Sequence, residues 1–278
     1  MTLSINSNSS ALAVLQALNT ATSSLNQTEA QVASGLAVAQ AKDNPAVFGL
    51  AQQQRDQISG LSSVSDGLAR AQSVADVAVS AGQTISDLLN QLKAKALAAT
   101  DPSEDAASLA SNNQAFGALL RQVQSTLSSA TFGGVNLLNG TTTSGVSFMA
   151  TADATSFVTL SAQNLSLGGA LITVASTATI TTPTAAASVL SQVDASITNV
   201  NAAVSDLGAQ SDQISAHASF VSTLSNTLTT GVGALVDADI AAESARLTAL
   251  QIQQQLGTQA LSIANQQPSL ILTLLKGG

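Results

Sequence analysis

The chain has no cysteine, no tryptophan and no tyrosine among 278 residues, and a single histidine. Without cysteine there are no disulfides, thiolate nucleophiles or thiolate metal sites, and the redox compartment is left open. The lone His217 excludes multi-histidine metal centres and the His-Glu-x-x-His peptidase motif. With six phenylalanines as the only aromatics, the core has to be packed from Ala, Leu, Val and Ile. Charge is scarce too: 9% of residues are charged against about 25% in a typical domain, so much of the surface is suited to contact with protein rather than water. A net charge of −8 with only eight Lys and Arg argues against nucleic-acid binding, which needs clustered cations. No run approaches the length of a membrane span, the densest being Leu270 to Leu275, so no membrane insertion is expected. The start, Met1 to Asn6, has no basic segment followed by an apolar one, so a cleaved signal peptide is not expected either. What is present is apolar character, 45% of residues with a mean hydropathy of +0.30, the opposite of a disordered chain.

That apolar character is periodic. Ile5, Leu12, Leu18, Leu25 and Val32, with Leu15 filling in, predict an amphipathic helix ending near Ser34-Gly35. Asn44-Pro45 predicts the start of a second, since proline at the first helical position loses no hydrogen bond. From Ile58 through Leu61, Val64, Leu68, Ala71, Ala75, Val79, Gly82, Ile85, Leu89 and Leu92 the seam advances by threes and fours, a coiled-coil-like pattern. Asp101-Pro102-Ser103-Glu104 reads as a cap opening a third helix carried by Leu109, Phe116, Leu120, Val123 and Leu127. Between Thr131 and Thr182 the glycine pairs, Asn139-Gly140 and the runs Val146–Met149 and Phe157–Leu160 signal hairpins. After Pro183, Val193, Val200, Leu207, Ile214, Val221, Leu228 and Leu235 fall at every seventh position, and a helix that long has to pack lengthwise on others. A last helix from Asp237-Ala238-Asp239 is apolar nearly all round and needs partners on several sides. The predicted fold is mainly α: a long coiled-coil-like helical bundle formed by both chain ends, with a small β-hairpin region at the turning point.

Several motifs then stand in a recognisable order. Val236-Asp237-Ala238-Asp239-Ile240-Ala241-Ala242-Glu243, Leu247 to Ile252, Ala264-Asn265-Gln266-Gln267-Pro268 and Leu272 to Lys276 closely resemble the carboxyl end of bacterial flagellins. Ile5 to Asn8, Ser34-Gly35-Leu36, Ala41 to Ala46 and Phe132 to Leu138 resemble the amino-terminal half of the same family. The resemblance implies a filament subunit. Residues 1–42 and 235–278 would be the two halves of an inner helical domain and 43–130 and 183–234 the helices of a rod domain. Residues 131–182 would be a hairpin and short loop in place of larger outer domains. Two arginines common in the family are missing, near Gly233-Ala234-Leu235 and within Gly208 to Gln213. In the segment through which many flagellins engage a vertebrate innate receptor, Lys93 and Lys95 flank Ala94, and Ala96 stands where Glu is usual. Lysine loses arginine's bidentate fork, so weak receptor activation is expected.

The implied polymer contacts are Leu12, Leu18, Leu25, Val32, Leu247, Leu250, Leu261, Leu270 and Leu274. Asp237, Asp239 and Glu243 could form a metal or acid–base cluster, but carboxylates at a helix start also cap it and offset its dipole, and that role suffices. His217 has no partner constellation and reads as a bundle residue. Neither glycine pair has the context of a phosphate loop, so no cofactor is expected. Ser and Thr abound over 141–182; relatives are often O-glycosylated on such outward positions, and a simply solvated loop is the alternative. The function implied is structural and non-enzymatic: polymerisation into a bacterial flagellar filament, through heterologous contacts that do not close. Its partners would be further copies, the flagellar export apparatus, an export chaperone, the filament cap and hook-junction proteins, with the product outside the cell. A hook–filament junction protein, or a helical signalling or adhesive module of fixed stoichiometry, is the alternative.

Overall fold

The computed structural model describes the backbone of residues 8–276 and the side chains of residues 8–266. Two of the expected contact residues, Leu270 and Leu274, therefore lie outside the described side chains. The described residues form five helices, α1 (Ser9–Ser34), α2 (Pro45–Ala98), α3 (Ala106–Ser129), α4 (Pro183–Val236) and α5 (Ile240–Lys276), and two strands, β1 (Val146–Met149) and β2 (Phe157–Leu160). The fold is mainly helical with one small antiparallel sheet, as the sequence predicts. It divides into two compact units: one of residues up to Asp56 with those from Thr227 onward, the other of Gln57–Asn226.

In the second unit α2 and α4 run antiparallel. Gln72 donates to the Ser211 hydroxyl (2.6 Å), Ser86 to Asn201 Oδ1 (2.7 Å), and Lys93 pairs with Asp194 (2.8 Å). The two helices approach closely at Gly82, where a Cβ would lie 2.6 Å from Val204 Cγ2. The expected heptad of α4 is buried from Val193 through Val200, Leu207 and Ile214 to Val221; its last members, Leu228 and Leu235, are half-buried. Along α2 the buried row follows the predicted seam from Leu61 on, except that Ala78 takes the place of Val79; Ile58 is half-buried. Phe116, Leu120, Val123 and Leu127 bury the inner face of α3.

The start of α3 differs from the prediction. Asp101 does not cap a helix; its carboxylate accepts from the Ser103 N–H and hydroxyl (2.9 and 2.8 Å), closing a local turn. The backbone bond, then the hydroxyl, holds that exposed carboxyl below the usual aspartate range. The cap is Asp105, which accepts from the Ser108 N–H at 2.7 Å. Glu104 steadies the start by accepting from Ser108 Oγ and Asn112 Nδ2.

The stretch between α3 and α4 is laid along the helices. Phe132 and Val135 exchange backbone hydrogen bonds of 3.0 Å around Gly133 and Gly134, whose φ of 57° and 83° fits the left-handed turn that closes tight hairpins. Buried Asn136 donates to the Leu127 carbonyl (2.6 Å) and accepts from the Leu138 and Asn139 N–H groups (2.8 and 3.1 Å), tying the end of α3 to the start of the irregular stretch. Asn139-Gly140, predicted as a hairpin turn, instead forms a bend before β1 in which Asn139 Oδ1 accepts from Thr141. The strands pair Val146 with Leu160 through Met149 with Phe157, and the loop between them closes with the Ala150 N–H on the Ser156 carbonyl (2.9 Å). Between β2 and α4 the chain forms no strand, but buries Leu165, Ile172, Val174 and Ile180. Asn199 Nδ2 and Asn113 Oδ1 hold it by its backbone, at the Leu171 carbonyl (3.1 Å) and the Ile180 N–H (2.8 Å).

Candidate assembly site

The two chain ends meet in the first unit. Asn8 caps α1 by accepting from the Ala11 N–H (3.0 Å), and its Nδ2 donates to the Ala264 carbonyl of α5 (2.7 Å). Gln254 reaches the Thr22 hydroxyl at 3.4 Å. At Gly257 a Cβ would lie 3.1 Å from Leu18 Cδ1, so Leu18 sits over a glycine hollow. The pair is antiparallel. Its inner seam on α1 is Ala11, Val14, Leu18, Ala21, Leu25, Thr28 and Val32; on α5 it is Glu243, Leu247, Leu250, Gln254, Gly257, Leu261 and Ala264, all buried or half-buried. Both rows advance strictly by threes and fours, the spacing of a coiled-coil seam. With Leu18 level with Gly257, the register sets Leu25 opposite Leu250 and Thr28 opposite Leu247.

Of the residues expected to make polymer contacts, Leu18, Leu25, Val32, Leu247, Leu250 and Leu261 thus lie on the seam inside the chain. Leu12 does not: it is 62% exposed, as is much of Leu15. Three large residues of the all-round apolar set, not among the expected contacts, share this exposure, Ile252 (53%), Leu256 (58%) and Ile263 (65%). At about 100° per residue they fall within roughly 40° of one another and about 150° from the centre of the α5 seam. Helix α5 is therefore apolar on two nearly opposite faces, one covered by α1 and one bare. The signal was its all-round hydrophobicity; which face α1 takes is fixed by the partner's spacing and could not be read from α5 alone.

Where α4 meets α5, Leu36 and Asp237 form an antiparallel bridge. Asp239 accepts from the Ala241 and Ala242 N–H groups (3.0 and 3.2 Å) and so caps α5. Glu243 lies one turn on, 4.0 Å from Arg246, and its Oε2 is buried without a partner. No group of three His, Cys, Asp or Glu among the described residues could hold a metal ion. His217 Nε2 lies 2.8 Å from the Ala150 carbonyl, and its ring lies 6.0 Å from that of Phe220, so it ties α4 to the hairpin loop. In the segment Lys93 to Ala96, Lys93 is exposed and paired with Asp194, Lys95 is half-buried, and Ala96 is fully buried and presents no atom to a partner. Among the described residues no helix is long and apolar enough to cross a membrane.

Comparison with known proteins agrees with this arrangement of chain ends. Residues 5–143 match the family model of the bacterial flagellin N-terminal helical region, and residues 190–275 that of the C-terminal helical region. The chain is 43% identical to flagellin FljO of Caulobacter vibrioides, with 98% of each chain covered. It is 35% identical to a flagellin of Brucella melitensis over 99% of each, and 32% identical to flagellin C of Rhizobium meliloti over 98% of this chain and 99% of that one. The crystal structure of Bacillus cereus flagellin shares the fold at a TM-score of 0.50 and 18% identity, covering 56% of this chain and 88% of that one. Relatives matched from end to end, with both helical regions in the family's order, disfavour a junction protein: the chain belongs to the bacterial flagellin family and is a structural subunit of the flagellar filament.

Proposed function

We propose that the terminal helix pair is the assembly element, closed on itself through the α1/α5 seam and joined to further copies through the bare stripe Ile252, Leu256 and Ile263 together with Leu12. What carries this reading is that stripe: covering each such side chain stabilises by about 1.5–3 kcal/mol before ordering costs, so a copy gains by covering its neighbour's. Leu18, Leu25, Val32, Leu247, Leu250 and Leu261 act one step earlier, by holding the pair together. Asp237, Asp239 and Glu243 serve the start of α5, with no catalytic part. In the filament, residues 1–42 and 235–278 form the inner tube, 43–130 and 183–234 its wall, and 131–182 the outer surface, where Ser and Thr are open to O-glycosylation. The subunit leaves the cell through the flagellar export apparatus, attended by an export chaperone, and adds under the filament cap beyond the hook-junction proteins.

Negative-stain electron microscopy of the full chain against an Ile252→Ser/Leu256→Ser/Ile263→Ser variant tests the reading. Long filaments from the parent and none from the variant, at unchanged far-UV helicity, support it; filaments from both overturn the assignment to the stripe. The segment Lys93 to Ala96 lacks the arginine fork and has Ala96 where Glu is usual in the family, so a reporter-cell assay should show weak activation of the innate receptor.

A further inference from the structure

A helix running on from α4 into α5 would need five rungs that the structure does not make, from the N–H groups of Ala238, Asp239, Ile240, Ala241 and Ala242 to the carbonyls four residues before each. Helical bonding reaches Asp237, whose N–H donates to the Gly233 carbonyl (2.8 Å), and is restored at Glu243, whose N–H donates to the Asp239 carbonyl (2.9 Å). Between them, one group from each of two missing rungs, the Ala238 N–H and the Val236 carbonyl, is bonded to the segment just after α1. Ala238 N–H donates to the Gly35 carbonyl (2.9 Å), and the Val236 carbonyl accepts from the Ala37 and Val38 N–H groups (2.7 and 3.3 Å). That segment is itself anchored to α1, through the Gly35 N–H on the Gln31 carbonyl (2.9 Å) and Gln31 Nε2 on the Ala37 carbonyl (3.1 Å). Gly35 has a φ of 73°, which ends α1 and turns its carbonyl toward Ala238.

The residues at the break, Val236-Asp237-Ala238-Asp239-Ile240, include neither proline nor glycine, the residues to which sharp interruptions of a helix are usually due. We infer that the α4–α5 break is a conditional joint, held by residues 35–38, and that α4 and α5 fuse into one continuous helix when that segment is displaced. The local competitor is Asp239, whose carboxylate holds the Ala241 and Ala242 N–H groups; in the fused helix these return to the Asp237 and Ala238 carbonyls. The joint belongs to a single subunit and stands apart from the polymerisation reading.

Two variants of the monomeric full chain separate tertiary from local control, read by NMR as the 13Cα shifts of Asp237, Ala238 and Asp239 and the amide exchange of Ile240. Ala37→Pro/Val38→Pro removes both donors to the Val236 carbonyl. The expected result is a change of all three shifts to helical values and a slowing of Ile240 exchange by roughly tenfold or more as its rung forms. In Asp239→Ala, which leaves the bridge intact, Asp237 and Ala238 should stay non-helical. Non-helical shifts that persist in the proline variant, or fusion in Asp239→Ala alone, would overturn the proposal.

Discussion

Asn136 shows how much one side chain can hold in a molecule with so few charges. Its amide serves the Leu127 carbonyl and two N–H groups at a site almost sealed from solvent, so Asn136→Ala leaves two buried groups and one part-buried group unpaired. Each costs about 1–3 kcal/mol, and urea unfolding followed by circular dichroism should show at least ~2 kcal/mol of lost stability. Residues of this kind are hard to read from sequence. Asn136 lies in a run, Gly133-Gly134-Val135-Asn136-Leu137-Leu138, that announces a turn but not that the amide will be buried against the end of a helix. Asp101 shows the opposite error: an Asp-Pro-Ser-Glu string has every mark of a helix start, yet Ser103 satisfies the carboxylate locally and Asp105, four residues on, takes the cap.

Elements were legible wherever a periodic row met a clear punctuation mark. The start of α2 at Asn44-Pro45 is of this kind, Asn44 Oδ1 accepting from the Val47 N–H at 3.2 Å, as is the heptad of α4 from Val193 to Val221. The seam of α1 was only half legible. Leu12 and Leu15 are the larger residues, but Ala11, Val14 and Ala21 face α5, because the spacing of the partner, not side-chain size, decides which stripe is covered. Between α2 and α4 the deciding residue is Gly82, which leaves room for Val204. Gly82→Ala has to push the helices apart or move Val204, at about 1–3 kcal/mol. Val204→Ala in the same chain should restore most of the loss, a coupling that a double-mutant cycle in urea would measure.

For the molecule as a whole, charge sets the terms of association. Every copy carries a net −8, and α4 has three aspartates and no lysine or arginine of its own, with Asp194 paired to Lys93 of α2, so packed copies repel until salt screens them. Screening is effective over about 10 Å at 0.1 M salt, and raising NaCl toward that range should lower the critical concentration for assembly, read as the unsedimented fraction after ultracentrifugation. A flat dependence would mean that apolar contact alone governs polymerisation. The antiparallel closure of α1 on α5 has a consequence for how such chains diverge. Seen from the terminal pair, everything between Ser34 and Ile240 is one large loop, and doubling the length of a flexible loop costs only about 0.6 kcal/mol in closure entropy. Segments can be gained or lost in the middle with little cost to the joined ends.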